Sequence, residues 1–451
     1  MRRTCLSPGC LILLLLGSLA AAADWPRFRG PDGNGISPEN GLIRQFPQGG
    51  PPVLWTVPVG PGFAGPVIHD GKVYLLDRPD DLKDVLRCFA LEDGRELWSF
   101  AYDAPGAIPE NGSRGVPTVD GQFIYTLGPW GNLHCIDLKT HKPVWSAHLV
   151  NDFKDPEFDA GEPGDRPAKL RRAQPPYWGY SQAPVLYDDL VILPPQTQKV
   201  GLVAYEKATG IIRWKSPYVG RSWYTYVTPL LVTLCGVEQI IVMGQDSDPD
   251  KPPSAAPPAR ITSLDPRTGR VLWTTFTPKP YKIPVPQPLK IAEDRLFITG
   301  GLGFSTVVLE VQKDPQWTTR FVHRSNVAAA YLHTPILYKD HIYVTSHREH
   351  GSPNLGLICV NLQMDLMWSS GRKDQFDYGH SIIADGMILQ MNADTGELSL
   401  IEASPADYRL LSRAKVLDAE GERIWAPMAL SNGRLVLRDL NVMKCLDMRK
   451  H

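Results

Sequence analysis

One phrase recurs along this chain, and it constrains the fold more than any other feature. It begins at a Pro, passes through a few apolar residues to an acidic-Gly turn, and continues as an alternating strand. A second strand follows, and a Gly turn then leads to Trp. The clearest copy runs from Pro117 through Asp120-Gly121 to Leu127, resumes from Gly131 to Leu138, and ends at Trp145. An earlier copy starts at Pro66, turns at Asp70-Gly71 and closes with Asp93-Gly94 before Trp98. Another starts at Pro184, turns at Asp188-Asp189 and closes with Thr209-Gly210 before Trp214; the next runs from Pro229 to Thr268-Gly269 before Trp273. Later copies are looser. Pro288 with Glu293-Asp294 opens one expected to close at Trp317, and Pro335 with Lys339-Asp340 opens one that ends at Trp368. Ser381 with Asp385-Gly386 opens a seventh, where Tyr408 or Leu410 is expected to stand in for the Trp. Pro427 with Asn432-Gly433 opens an eighth that runs out of chain near Met448.

Each part of the phrase has a physical reason. Asp-Gly and Asn-Gly pairs favour tight hairpin turns because Gly accepts positive φ at little cost. Runs such as Lys72-Val73-Tyr74-Leu75-Leu76 and His341-Ile342-Tyr343-Val344 have strand propensity. A Pro at the start of a strand removes no ladder bond there. Trp follows the turn Gly by four residues at 98, 214 and 273, which sets it at one height in each copy. Repetition on this scale predicts an all-β, eight-bladed propeller of four-stranded antiparallel blades. The eighth copy lacks its outermost strand, while Pro52-Val53-Leu54-Trp55-Thr56-Val57 is a spare strand ahead of the first copy. The N-terminal strand near Trp55 is therefore expected to complete the last blade and remove its open edge. Residues 151–176 and 246–260 break the period and read as surface loops within blades, not as linkers.

The ends and the bulk composition bound the rest. Arg2 and Arg3 precede an apolar run from Leu11 to Leu19 and small residues from Ala20 to Ala23, the pattern of a cleaved signal peptide over 1–23. That run is shorter than the roughly 20 residues a membrane span requires. The expectation is one exported propeller domain over 24–451, periplasmic or extracellular, monomeric, with no transmembrane segment in the mature chain. Cys10 precedes the apolar run, which argues against a lipoprotein site. A formal charge of -1 gives no electrostatic footprint for nucleic acid. Five cysteines lie beyond the signal: Cys88, Cys135, Cys235, Cys359 and Cys445. Export permits disulfides, but an odd count at wide spacing argues against a disulfide framework. Cys88, Cys135, Cys359 and Cys445 hold one repeat position, where a small apolar residue suits a buried strand.

The phrase Asp265-Pro266-Arg267-Thr268-Gly269-Arg270-Val271-Leu272-Trp273 resembles the pyrroloquinoline quinone (PQQ) repeat. The opening Asp24-Trp25-Pro26-Arg27-Phe28-Arg29-Gly30-Pro31 resembles the start of exported bacterial PQQ-like propellers, often described as BamB-like. The likeness covers nearly all of the mature chain. It implies the propeller fold and two classes of function, since one fold hosts many activities. The first is a non-catalytic binding or scaffold module for a protein or polymer partner, including a polysaccharide. The second is a quinoprotein dehydrogenase holding PQQ with calcium in the central funnel, where the quinone supplies the chemistry. Many such dehydrogenases carry adjacent cysteines against the cofactor; this chain has none adjacent, and no Cys-x-x-Cys-His for haem. No calcium ligand or catalytic base maps onto a position here. The binding module is the favoured expectation.

Residues just ahead of each blade's first strand line the funnel of a propeller. In this chain they are Arg114, Trp178 with Tyr180, Tyr224 with Tyr226, Tyr331 with His333, His380 and Trp425. Aromatic faces and a cation on one concavity suit a planar or sugar-like ligand. The same residues also suit a narrow axis filled by packed rings that hydrogen-bond across it. His347, Glu349 and His350 form a His-x-x-His loop too sparse for a metal site. Asp80-Asp81 and Asp188-Asp189 read as turn residues. Gly300-Gly301-Leu302-Gly303 has no following helix to cradle a phosphate.

Overall fold

A computed structural model describes residues 24–110, 112–153, 176–221, 225–246, 257–346, 355–418 and 423–450. The signal segment, most of the two long loops, the His-x-x-His loop and Tyr224 lie outside the described residues. The strands assort into eight four-stranded antiparallel sheets. In blade 1, the strand β2 (Val67–His69) is followed by β3 (Lys72–Asp77), β4 (Lys83–Ala90) and β5 (Glu96–Asp103). Blade 2 repeats the order with β6 (Thr118–Val119), β7 (Phe123–Leu127), β8 (Asn132–Asp137) and β9 (Lys142–His148). Five more blades follow in chain order, opening at β10 (Val185–Tyr187), β14 (Leu230–Leu234), β18 (Leu289–Ala292), β22 (Ile336–Tyr338) and β26 (Ser381–Ala384).

The eighth blade joins the two ends of the chain. Its strands β30 (Ala429–Ser431), β31 (Arg434–Arg438) and β32 (Val442–Asp447) are completed by β1 (Val53–Pro58). The pairing sets Trp55 opposite Cys445 and Val57 opposite Met443. The inner strands β2 and β30 touch, so blade 8 meets blade 1 and the ring is closed.

The core is not one mass at the centre. It is a set of layers, each pressed between two neighbouring blades. One unites Tyr74 and Cys88 of blade 1 with Ile124 and Ile136 of blade 2, and another unites Tyr125 and Cys135 with Val191 and Tyr205. A larger layer at the closure gathers residues of blades 7, 8 and 1 together with Trp25, Leu42, Phe46 and Trp55. All five cysteines beyond the signal are free, and four of them sit in these layers fully shielded from solvent. Burial raises the thiols of Cys88, Cys135 and Cys445 to about 12, so they stay protonated and unreactive at neutral pH.

Tryptophan joins blade to blade. Trp55 of blade 8 donates from Nε1 to the Leu91 carbonyl of blade 1, and Trp145 of blade 2 donates to the Lys207 carbonyl of blade 3. Each ring lies on the closing turn of the next blade, where Gly94 and Gly210 have φ of 73° and 72°. A Cβ added there would stand 2.7 and 2.6 Å from the indole, so both the backbone and the space demand Gly. Trp98 instead stacks on His141, 4.6 Å between ring centres, and His141 takes the same left-handed conformation at φ 60°.

Two copies depart from expectation. In blade 5, Trp317 opens the outer strand β21 (Trp317–Ser325), and His323 holds the register that the other blades give to Trp. In blade 7, Ser412 holds it, while Leu410 lies beyond the bulge and Tyr408 precedes the strand. Tyr408 packs on Trp368 of blade 6, and the Ser412 hydroxyl accepts a hydrogen bond from the Phe46 backbone N–H.

Candidate functional site

The segments that connect one blade to the next all cross one face of the ring and enter the inner strands from it. Hydrogen bonds stitch these segments together. The Thr118 hydroxyl donates to the Pro184 carbonyl, Gln182 Nε2 to the Thr225 carbonyl and Gln287 Nε2 to the Thr228 carbonyl. The Gln287 N–H in turn donates to the Thr334 hydroxyl. His333 Nε2 donates to the Tyr378 carbonyl at 2.7 Å, and the Met428 N–H donates to His380 Nδ1 at 3.3 Å. Between blades 1 and 2 the backbone N–H groups of Phe63 and Ala64 both donate to the Ser113 carbonyl. This belt fixes the side chains that follow or precede each bond.

The belt surrounds a cavity of about 410 Å³, walled by residues from all eight blades. Arg114, Trp178, Tyr226, Tyr331, His333 and Trp425 line it. The rings thus surround open space and do not fill the axis. Two candidates fall elsewhere. Tyr180 is buried between blades 2 and 3, its hydroxyl donating to the Pro195 carbonyl. His380 is buried behind the wall, edge-on to His333 with ring centres 4.9 Å apart.

Several lining residues escaped sequence reasoning. Phe63 and Tyr378 obey the same positional rule as the residues it found, since each precedes the first strand of its blade. Phe28 has no such signal. It arrives on the N-terminal arm, which crosses the axis of the ring. Trp25 pairs with Ile68 of blade 1, and the Pro26 carbonyl accepts from Val119 of blade 2. Only three residues later, Arg29 bonds to the carbonyls of Thr334 and Pro335 at blade 6, on the far side. Phe28 lies between and floors the cavity.

One sector of the wall is a layered stack. The Phe63 and Trp425 rings lie 5.0 Å apart at 26°. The Arg114 guanidinium covers Phe63 at 5.1 Å, and that of Arg423 covers Trp425 at 5.0 Å. Glu110 pairs with Arg423. Arg114 has no carboxylate partner among the described residues. Its hydrogen bonds run from Nη2 to the carbonyls of Pro109 and Glu110, and its Nε has none. Burial lowers its pKa to about 10, so it remains a cation at neutral pH. Burial also lowers His333 to about 4, which leaves that imidazole neutral.

PQQ with calcium requires clustered oxygen ligands. Among the described residues no three His, Cys, Asp or Glu side chains converge, and Glu110, the one carboxylate lining the cavity, is taken by Arg423. These residues do not fit a calcium-bound quinone. Nor is any helix long and apolar enough to cross a membrane among the described residues.

A family model described as outer membrane protein assembly factor BamB matches residues 82–363. No curated protein matches the chain. Among solved structures, BamB from Moraxella catarrhalis is similar with a TM-score of 0.55 and 13% identity, over 88% of this chain and 99% of that one. The quinohemoprotein alcohol dehydrogenase of Comamonas testosteroni gives a TM-score of 0.61 and 14% identity, over 95% of this chain and 81% of that one. A europium-containing methanol dehydrogenase gives 0.61 and 10% identity, over 92% and 89%. Identities this low speak to the fold alone, and the fold is shared by a scaffold and by enzymes. With its repeat folded into eight closed blades and matched over 82–363, the chain belongs to the BamB-like family of PQQ-repeat propellers.

Proposed function

We propose that this chain is an exported, non-catalytic binding module that takes its ligand or partner segment in the central funnel. One observation carries the reading: a cavity of about 410 Å³ that draws its wall from every blade and holds a cation without a carboxylate partner. Binding sites are concave and mostly apolar, with a few fixed polar groups, and this funnel has that character. Among the described residues the lining supplies rings, aliphatic side chains and two guanidiniums, and it offers no paired carboxylates for acid–base work. The signal-like N-terminus supports export, and the family description supports a protein partner.

The mature chain, residues 24–451, is to be screened on peptide and glycan arrays beside a Trp178→Ala/Tyr331→Ala variant. The reading expects ligands that the native chain retains and the variant loses, at an unchanged melting temperature. Retention that the variant leaves intact would move the site off the funnel. A second assay adds PQQ, calcium and an artificial dye with a panel of alcohols and sugars. Dye reduction there would replace the binding module with a dehydrogenase.

A further inference from the structure

We infer that the funnel recognises an apolar body that ends in a single carboxylate. The inference rests on the binding-module reading and names the ligand chemistry of that same site. Its first support is charge. Among the described residues, the ionised ones lining the cavity are Arg114, Arg423 and Glu110, and Glu110 already pairs with Arg423. One positive charge is left, on Arg114. A monoanion neutralises it, whereas a di- or tri-acid would leave excess negative charge in a wall of rings and aliphatic groups.

The second support is the supply of donors. Arg114 spends only Nη2 on backbone carbonyls, and its Nη1 makes no hydrogen bond among the described residues. A guanidinium donates and never accepts, so the group that meets Nη1 is an acceptor. A carboxylate is a monoanion that accepts such a bond, and its bond to a guanidinium is charge-assisted.

The third support is the opposite wall. Phe28 forms the floor, and Ile283 and Val285 come from blade 5, across the ring from Arg114. The volume suits a body of one ring or one to two amino-acid residues, at the low end of ligand pockets. Two sources have this chemistry, the free C-terminus of a polypeptide and a small aromatic acid.

The test is calorimetry on the mature chain at pH 7 with four probes: N-acetylphenylalanine, its amide, a hexapeptide ending in Phe, and that hexapeptide amidated. The acids should bind at least about tenfold more tightly than their amides. Arg114→Gln should abolish that ratio and shift the amides by no more than about twofold, while Arg114→Lys keeps part of the preference. Melting temperatures confirm that both variants fold. Tight hexapeptide binding assigns a chain terminus; binding of the capped amino acid alone assigns a small acid. Equal affinity for acid and amide overturns the inference, as does a preference that survives Arg114→Gln. If none of the four binds at millimolar concentration while an array ligand does so through the funnel, the carboxylate chemistry fails and the binding module stands. If no ligand depends on the funnel, both fall.

Discussion

His333 in the funnel wall meets His380 behind it edge to face, and the buried Arg29 guanidinium lies near both. Arg29 donates to the carbonyls of Gly33, Asn34, Thr334 and Pro335, so its charge is met by dipoles and not by a carboxylate. A protonated imidazole here would be desolvated and would face another cation. Burial therefore depresses His333 from 6.5 to about 4, and burial followed by the charges of His333 and Arg29 depresses His380 well below its ordinary value. Depressed histidines favour the fold wherever they are neutral in both states, above about pH 6.5. As pH falls below that, the unfolded chain takes up protons that the native chain refuses, and stability declines until His333 itself titrates near 4. For His333 the loss is on the order of 3 kcal/mol across that window. Gln at 333 keeps an N–H for the Tyr378 carbonyl and does not titrate. The difference in unfolding free energy between native and His333→Gln chains should therefore narrow or change sign from pH 7 to pH 4, followed by urea titration. A difference that is flat with pH would show that His333 has the same pKa in the folded and unfolded chains.

At the scale of the strand and its turn, the joint between blades 2 and 3 gives the sharpest expectation. The Trp145 ring stacks on Tyr205 at 5.5 Å and its N–H reaches the Lys207 carbonyl at 2.8 Å. Trp145→Ala should cost about 3 kcal/mol, a little under the range for fully buried rings because Trp145 is half-buried. Gly210→Ala should cost about 1–3 kcal/mol, from positive φ and from the clash with the indole. The double variant should fall short of the sum, because removing the ring relieves the clash but not the φ. Denaturant melts of the three variants measure this, and strict additivity would mean that ring and turn do not touch. The same joint explains what sequence reasoning reached. Each turn Gly takes the Trp of the preceding blade, and the Trp four residues on reaches forward to the next turn, so copies that keep the pair were legible and placed the strands correctly. Blades 5 and 7 put His323 and Ser412 in that register, and the nearest aromatics, Trp317 and Tyr408, lie outside it. The funnel was legible for the same reason, because the entry to each inner strand is a fixed place in the repeat. Phe28 belongs to no repeat, and its place depends on an arm held by blades 1, 2 and 6 at once.

For the whole ring, the joint that matters most is the one formed by the two ends of the chain. Every other blade is built from consecutive strands, whereas β1 and β32 pair across almost the entire sequence. Loop-closure entropy rises with the logarithm of the chain between the partners, so this pairing is the costliest to find. It is also the one without which blade 8 has an open edge. A proline placed at Val57, opposite Met443, cannot donate to the ladder. Val57→Pro should therefore act beyond its own strand. We expect a loss of about 3 kcal/mol or more in cooperative unfolding, together with concentration-dependent association through the freed edge of β32. Arg213→Pro is the matched control, since Arg213 is exposed at the bulge in the outer strand β13 (Ile212–Lys215) of blade 3 and has no ladder partner there. It should leave the chain monomeric and nearly as stable, because disturbing one outer strand leaves the ring closed. Sedimentation velocity at several concentrations, with urea melts, separates the two. Equal behaviour of Val57→Pro and Arg213→Pro would mean that the N-terminal strand is one outer strand among eight and not the lock of the propeller.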